Sequence, residues 1–209
     1  MIYLIGGPPR CGKTTIAKKL SKSWISADTI ESIIRTNTNE TDLDRLFPKN
    51  AVRKKTKNSN DLMYSVYSAK QIVNLYIKQA KASWKAIETM VECEISNGHD
   101  YVIEGFQLHP QLMNRLVKKY GKKNITPIVL TRFDCDGIVS GCLKHKAKSD
   151  WFIEKTKDSD IYPKIAKMIQ VYSEIFEKEA KKFKIKVISV DGDFPKQIKE
   201  VLVHLKMPR

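Results

Sequence analysis

Gly7-Pro8-Pro9-Arg10-Cys11-Gly12-Lys13-Thr14 follows the apolar run Met1-Ile2-Tyr3-Leu4-Ile5 and precedes a stretch with helical patterning. The spelling fits G-x-x-x-x-G-K-[ST], and a strand before it with a helix after it is the setting in which that spelling binds phosphate. Glycines at both ends let main-chain N–H groups turn inward around an anion, and the following helix points its partial positive end at the same place. On this reading Gly7, Pro8, Pro9, Arg10, Cys11, Gly12, Lys13, Thr14 and Thr15 surround the phosphates of a nucleoside triphosphate. Lys13 reaches the β- and γ-phosphates, and the Thr14 hydroxyl holds Mg²⁺.

Working outward, five short apolar segments recur: Met1-Ile5, Trp24-Ala27, Tyr101-Ile103, Ile125-Leu130 and Lys186-Val190. Helical patterns separate them, which is the signature of βαβ units and a parallel sheet. Their apolar character is nearly continuous, as expected for strands covered by helices on both faces. The expected fold is therefore α/β, a three-layer sandwich around a central parallel sheet of about five strands. Residues 1–36 and 99–209 form its core and 37–98 a helical insertion. Within that insertion, apolar residues from Val66 to Ile95 recur every 3.5 residues and predict one long helix, or two joined by a kink, before the stop at Asn97-Gly98. The same stripe would serve a homodimer. The polar stretch Asn37 to Asn60 ahead of it is the candidate acceptor-binding region, and the basic run Lys49 to Lys57 within it reads as a solvated loop, with a phosphate-substrate role as the alternative. Further on, Ile161 to Phe183 carries a helical core stripe, and Pro195 opens a closing helix.

Ligands bind an open α/β sheet at the carboxyl ends of its strands. There the chain places Asp28, Glu104, Arg132 and Asp191. Asp28 is suited to accept or orient the proton of an acceptor hydroxyl, although Ser26 or Asp28 equally suits a helix cap. Glu104 is suited to a magnesium water or to the acceptor, or else to a structural lysine. Arg132, with Lys144, His145, Lys146 and Lys148 in a candidate lid over residues 144–160, would supply positive charge to the transferring group. Arg35, one to two turns into the second helix, would grip an anionic acceptor. His99, His109 and His204 read as surface or capping residues. A GTPase would carry N-K-x-D, which is absent from the sequence, and a motor ATPase would need a longer chain.

A net charge of +15 points to anionic partners, but the 31 lysines outnumber the 7 arginines, and arginine is the residue that reads bases and forks phosphate. Nucleic acid is thus a possible partner and not the favoured one. No apolar run approaches a membrane span, and the N-terminus has no basic region before its apolar run, so a soluble cytoplasmic protein is expected. Four cysteines without C-x-x-C spacing suggest reduced thiols. Cys11 reads as a small loop filler, with redox sensitivity at a helix N-terminus as the alternative.

Together Ile5-Gly6-Gly7-Pro8-Pro9-Arg10-Cys11-Gly12-Lys13-Thr14-Thr15, Ser26-Ala27-Asp28-Thr29-Ile30 with Arg35, and Val102-Ile103-Glu104-Gly105 resemble the P-loop small-molecule kinases, the group of adenylate kinase, chloramphenicol phosphotransferase and the zeta toxins. Within that group the chain most resembles 2-phosphoglycerate kinase-like proteins. The resemblance implies a kinase using ATP and Mg²⁺, an Asp28 that binds or activates the acceptor, a mobile basic lid, and adenine packing near Val190-Asp191-Gly192. Lids in that group are arginine-rich, whereas this one carries lysines and a histidine. A polynucleotide or RNA-directed kinase and a nucleotide-gated binding protein are the rival readings.

Overall fold

In the computed structural model, which describes residues 1–20, 23–144 and 150–206, five parallel strands form one sheet: β1 (Ile2–Gly6), β2 (Trp24–Ser26), β3 (Tyr101–Gly105), β4 (Ile125–Thr131) and β5 (Lys186–Ser189). Their order is β2-β3-β1-β4-β5. The chain runs outward from central β1 to β2 and β3 on one side, then crosses to β4 and β5 on the other. That reversal leaves a crevice at the carboxyl end of β1, where the glycine-bounded turn sits.

Neighbouring residues of the strands serve opposite cores. Ile2, Leu4, Ile103, Ile125 and Val129 belong to the larger cluster, whereas Ile5, Val102, Ile128 and Leu130 belong to the smaller. Side chains alternate across a strand, so an unbroken apolar run is what a sheet buried on both faces requires. The smaller core lies under α1 (Lys13–Leu20) and α12 (Phe194–Lys206), through Ile16, Ala17, Ile198, Val201 and Leu205. The larger one includes residues of α2 (Ala27–Thr36), α8 (Pro110–Tyr120), α9 (Cys135–Lys144) and the 22-residue α11 (Ile161–Lys182).

One expectation for residues 37–98 is corrected. The basic run is not a loop: Asn37 to Asn60 carries α3 (Glu40–Leu46) and α4 (Pro48–Lys55), the latter opened by a proline in its first turn. Of the two forms expected for the apolar stripe, one long helix or two joined by a kink, the structure shows the second, preceded by a separate short helix. The stripe is divided into α5 (Asn60–Val66), α6 (Ala69–Ala80) and α7 (Trp84–Ser96), with a 3₁₀ turn at Lys81–Ser83. Ser68 explains the first break: its hydroxyl accepts from Gln71 N while the Gln71 side chain accepts from Ser68 N, a capping box that starts a new helix. Ile72, Val73, Tyr76, Ile87 and Val91 of the stripe are buried in the larger core, whereas Val66 at its start is exposed. Among the described residues no helix is long and apolar enough to cross a membrane.

His109 caps α8, with its Nδ1 accepting from Gln111 N at 3.2 Å, and is packed edge-on against Phe176. Burial lowers its pKa from the ordinary 6.5 to about 4, and nearby Lys81 and Lys182 push the same way against Glu179. Native His109 is therefore neutral where the unfolded chain takes up a proton, so its contribution to stability is complete above pH 6.5 and is lost as the pH falls toward 4. The gap corresponds to about 3 kcal/mol. Urea unfolding at pH 7 and pH 4.5 should show the wild type losing more stability than His109→Asn, which keeps a capping acceptor without the titration. Equal losses in the two proteins would contradict this assignment.

Candidate active site

The turn between β1 and α1 has the geometry its glycines imply. Gly12 sits at φ +76°, and a Cβ there would lie 2.5 Å from the Phe194 ring. Gly7 sits at φ +144°, and a Cβ there would lie 2.4 Å from Leu130 O. Any other residue would be strained at either position and would collide with α12 or β4. The first N–H groups of a helix have no acceptor within it; in α1 Ile16 N bonds back to Gly12 O at 3.1 Å. Lys13, almost fully buried, donates to Pro8 O at 2.6 Å, folded over the turn.

Pairing of β1 with β3 sets Ile5 opposite Glu104 and Gly6 opposite Gly105. Glu104 thereby arrives beside the turn, where its Oε1 accepts from Thr14 Oγ1 at 3.0 Å. A hydroxyl and a carboxylate are hard oxygen donors of the kind magnesium takes alongside phosphate oxygens and water, so the pair fits that ion. On the other side of β3, Ser26 stands opposite Glu104 and caps α2, its Oγ accepting from Asp28 N at 3.3 Å. The cap is thus Ser26, which leaves the Asp28 carboxylate, in the first turn of α2, free of capping duty.

A buried chain of amides that the motifs do not reveal holds that carboxylate. Gln107 Nε2 donates to Asp28 Oδ1 at 2.8 Å and to Glu31 Oε2 at 3.1 Å. Gln79 Nε2 donates to Glu31 Oε1 at 2.6 Å, and Gln79 Oε1 accepts from Asn50 N at 3.1 Å. Glu31 is buried without a cation partner among the described residues; the two amide donors offset part of the cost of burying it. The only trace in sequence is Gln107 itself, a polar residue between Phe106 and Leu108 just past a strand.

Arg10, at φ +66° in the turn, pairs through Nη1 with Asp150 Oδ2 at 2.8 Å, and its Nε donates to Cys142 Sγ at 3.0 Å. The turn is thereby tied to the end of α9 and the start of α10 (Trp151–Glu154). Arg132 reaches the same turn, donating through Nη1 to Arg10 O at 3.3 Å and through Nη2 to Gly137 O at 2.8 Å, while its buried Nε has no partner. Asp191 accepts from Phe133 N, Asp134 N and the Ser189 hydroxyl, joining the end of β5 to the segment after β4. Its carboxylate is engaged by the protein. Cys11 is corrected on one point: burial pushes its thiol up to about 12, against the attraction of Lys13 and Arg132, so the redox-sensitive alternative is not supported.

A cavity of about 770 Å³ extends from Lys13, Thr14 and Glu104 past Asp28 and Glu31 to α4. Arg35 lines it. So do Lys49, Arg53 and Lys54 of α4, from the basic run within the candidate acceptor-binding stretch, and Lys155 at the end of α10, which falls within the span of the candidate lid. Of the lid residues, Lys144 is exposed at the end of α9, and His145, Lys146 and Lys148 lie outside the described residues.

No protein-family model matches the chain, and no curated protein matches it. Among solved structures, a gluconokinase from Sinorhizobium meliloti 1021 is similar over 97% of this chain and 90% of its own, at 11% identity and a TM-score of 0.51. The protein TT1252 from Thermus thermophilus is similar over 99% and 97%, at 13% identity and a TM-score of 0.42. The fold, a five-stranded parallel sheet flanked by helices, is like that of this gluconokinase. Nothing in these likenesses singles out the 2-phosphoglycerate kinase-like proteins.

The Asp150 carboxylate is almost fully buried, so removing its cation should be costly. Arg10→Met is expected to destabilise the protein by about 3 kcal/mol, and adding Asp150→Asn should recover part of the loss. Urea unfolding of the single and double variants checks this; a double variant no more stable than Arg10→Met would show that the pair is not the cause.

Proposed function

We propose that this chain is an ATP- and Mg²⁺-dependent kinase that transfers the γ-phosphate to the hydroxyl of a small-molecule acceptor. One observation carries the reading: the glycine-bounded turn, the Thr14 and Glu104 oxygens and the Asp28 carboxylate open into a single cavity. Within it the main-chain amides from Gly7 to Thr15 and Lys13 bind the phosphates. Thr14 and Glu104 hold magnesium, which would neutralise charge on the phosphate oxygens. Asp28, oriented by Gln107, takes or directs the proton of the attacking hydroxyl. Arg132, anchored on Arg10 O and Gly137 O, adds positive charge behind the turn without itself lining the cavity. Residues 37–98 supply the acceptor side of the cavity, and residues 144–160 the segment that closes on the nucleotide.

The rival readings fare less well on the same geometry. A nucleotide-gated partner surface on the long apolar stripe has lost its surface, because α6 and α7 spend that stripe on the core. An RNA-directed kinase needs an open basic track, whereas the cations around Asp28 share a concave site with buried Phe47, Tyr76 and Phe106.

Incubation with γ-labelled ATP, Mg²⁺ and a panel of hydroxylated metabolites and RNA should label a small molecule. Lys13→Ala is expected to abolish labelling while leaving the thermal melt cooperative; labelling at the wild-type rate would refute the assignment. Asp28→Asn should cut transfer by about a hundredfold or more with ATP affinity unchanged in a fluorescent-nucleotide titration. Parallel loss of binding and transfer would make Asp28 a structural residue.

A further inference from the structure

The part of the cavity built by α4 holds positive charge that the protein does not neutralise. Lys49 and Arg53 are one helical turn apart and so share a face of α4, and both line the cavity. Among the described residues no carboxylate lies within 4.0 Å of either. Their partners are neutral. Lys49 Nζ stands 4.8 Å from the centre of the Tyr76 ring and 5.2 Å from that of Phe106. Arg53 lies over Trp151 at 5.6 Å, and its Nη1 donates to Asn60 Oδ1 at 2.6 Å. Asn60 is fully buried and is itself fixed by donating to Trp151 O and Thr156 Oγ1. Ring faces and an amide carbonyl orient these two cations without cancelling their charge.

Setting aside the groups assigned to nucleotide, metal and hydroxyl, five cations remain in the lining: Arg35, Lys49, Arg53, Lys54 and Lys155. Only Glu31 and Asp44 stand against them, and the amides of Gln107 and Gln79 already engage Glu31. A neutral acceptor filling this space would strip water from several cations and return nothing; an anionic one matches them in a concave site where charge is focused. The position of the cations is also set relative to the chemistry. Asn50, between Lys49 and Arg53 on α4, is bonded to Gln79, which holds Glu31, which shares Gln107 with Asp28.

Resting on the kinase reading above, we infer that the acceptor is an anionic hydroxy compound. Its phosphate or carboxylate group is held by Lys49 and Arg53, with Lys54 and Lys155 adding to the field, while its hydroxyl lies at Asp28. Arg53, its direction fixed by Asn60, sets which end of the acceptor enters α4's side of the site.

Calorimetric titration of the full chain with glycerol 1-phosphate, glycerate and glycerol tests this without requiring turnover. At least one anionic probe should bind saturably and more weakly as salt is raised, and glycerol should not bind. The stronger of the two anions identifies phosphate or carboxylate as the group recognised. Lys49→Gln and Arg53→Gln should each weaken that probe by roughly tenfold or more. Lys49→Gln removes only a cation over two rings, so it remains informative if Arg53→Gln loosens Asn60 and lowers the melting temperature. Absence of saturable anion binding, or affinity unchanged in Lys49→Gln, would overturn the inference. A separate ATP titration of the wild type distinguishes the two readings: loss of nucleotide binding with anion binding intact would sink the kinase reading and leave the anion site standing.

Discussion

The parallel pairing of β1 with β3 is the constraint on which the site depends. It fixes Gly6 beside Gly105 and Ile5 beside Glu104, so the turn that leaves β1 and the carboxylate that ends β3 arrive at the same height. A slip of one residue would turn Glu104 to the other face of the sheet and put an apolar side chain beside Thr14. The register is held by burial on both faces, since Ile103 and Val102 belong to opposite cores that a slip would exchange. The same strand aligns Ser26 with Glu104 and so sets where α2 begins, which places Asp28.

From that fixed edge, position is carried into the helical segment by amides and not by ion pairs. Glutamine amides donate to the carboxylates of Asp28 and Glu31 and fix their orientation without adding a charge of their own. Such a chain is expensive to bury and tolerates few substitutions, because each lost donor leaves a carboxylate oxygen without a partner. The cations on α4 are held on the same plan, by aromatic faces and Asn60. Both halves of the cavity thus present oriented polar and charged groups across the space between them. Near the turn the plan differs: Arg10 is matched by Asp150, a full ion pair that joins the glycine-bounded turn to the start of α10.

Legibility in sequence followed the range of the interactions. The five strands, the turn, and the closing helices were readable because each depends on neighbours within a few residues: apolar runs, glycine spacing, a proline at a helix start. Cutting of the long stripe was readable in principle, since Ser68 and Gln71 have capping-box spacing, but the 3.5-residue periodicity runs on across the break and hides it. The basic run from Lys49 to Lys57 hides its helix, because its charge outweighs a helical pattern in which Ala51, Val52 and a leading proline are the only apolar cues. Cys11 was open to misreading for another reason: a helix N-terminus lowers a thiol pKa, yet complete burial raises it further.

The sequence by itself determined the α/β class, the parallel sheet and a glycine-bounded turn between the first strand and the first helix, because backbone conformation and side-chain periodicity are local properties of the chain. Only the tertiary structure decided that Glu104 meets Thr14, that Gln107 orients Asp28, and that Lys49 and Arg53 face the same cavity as Lys13. Those contacts join residues tens of positions apart, and their geometry is fixed by strand register and helix packing, which no local pattern records.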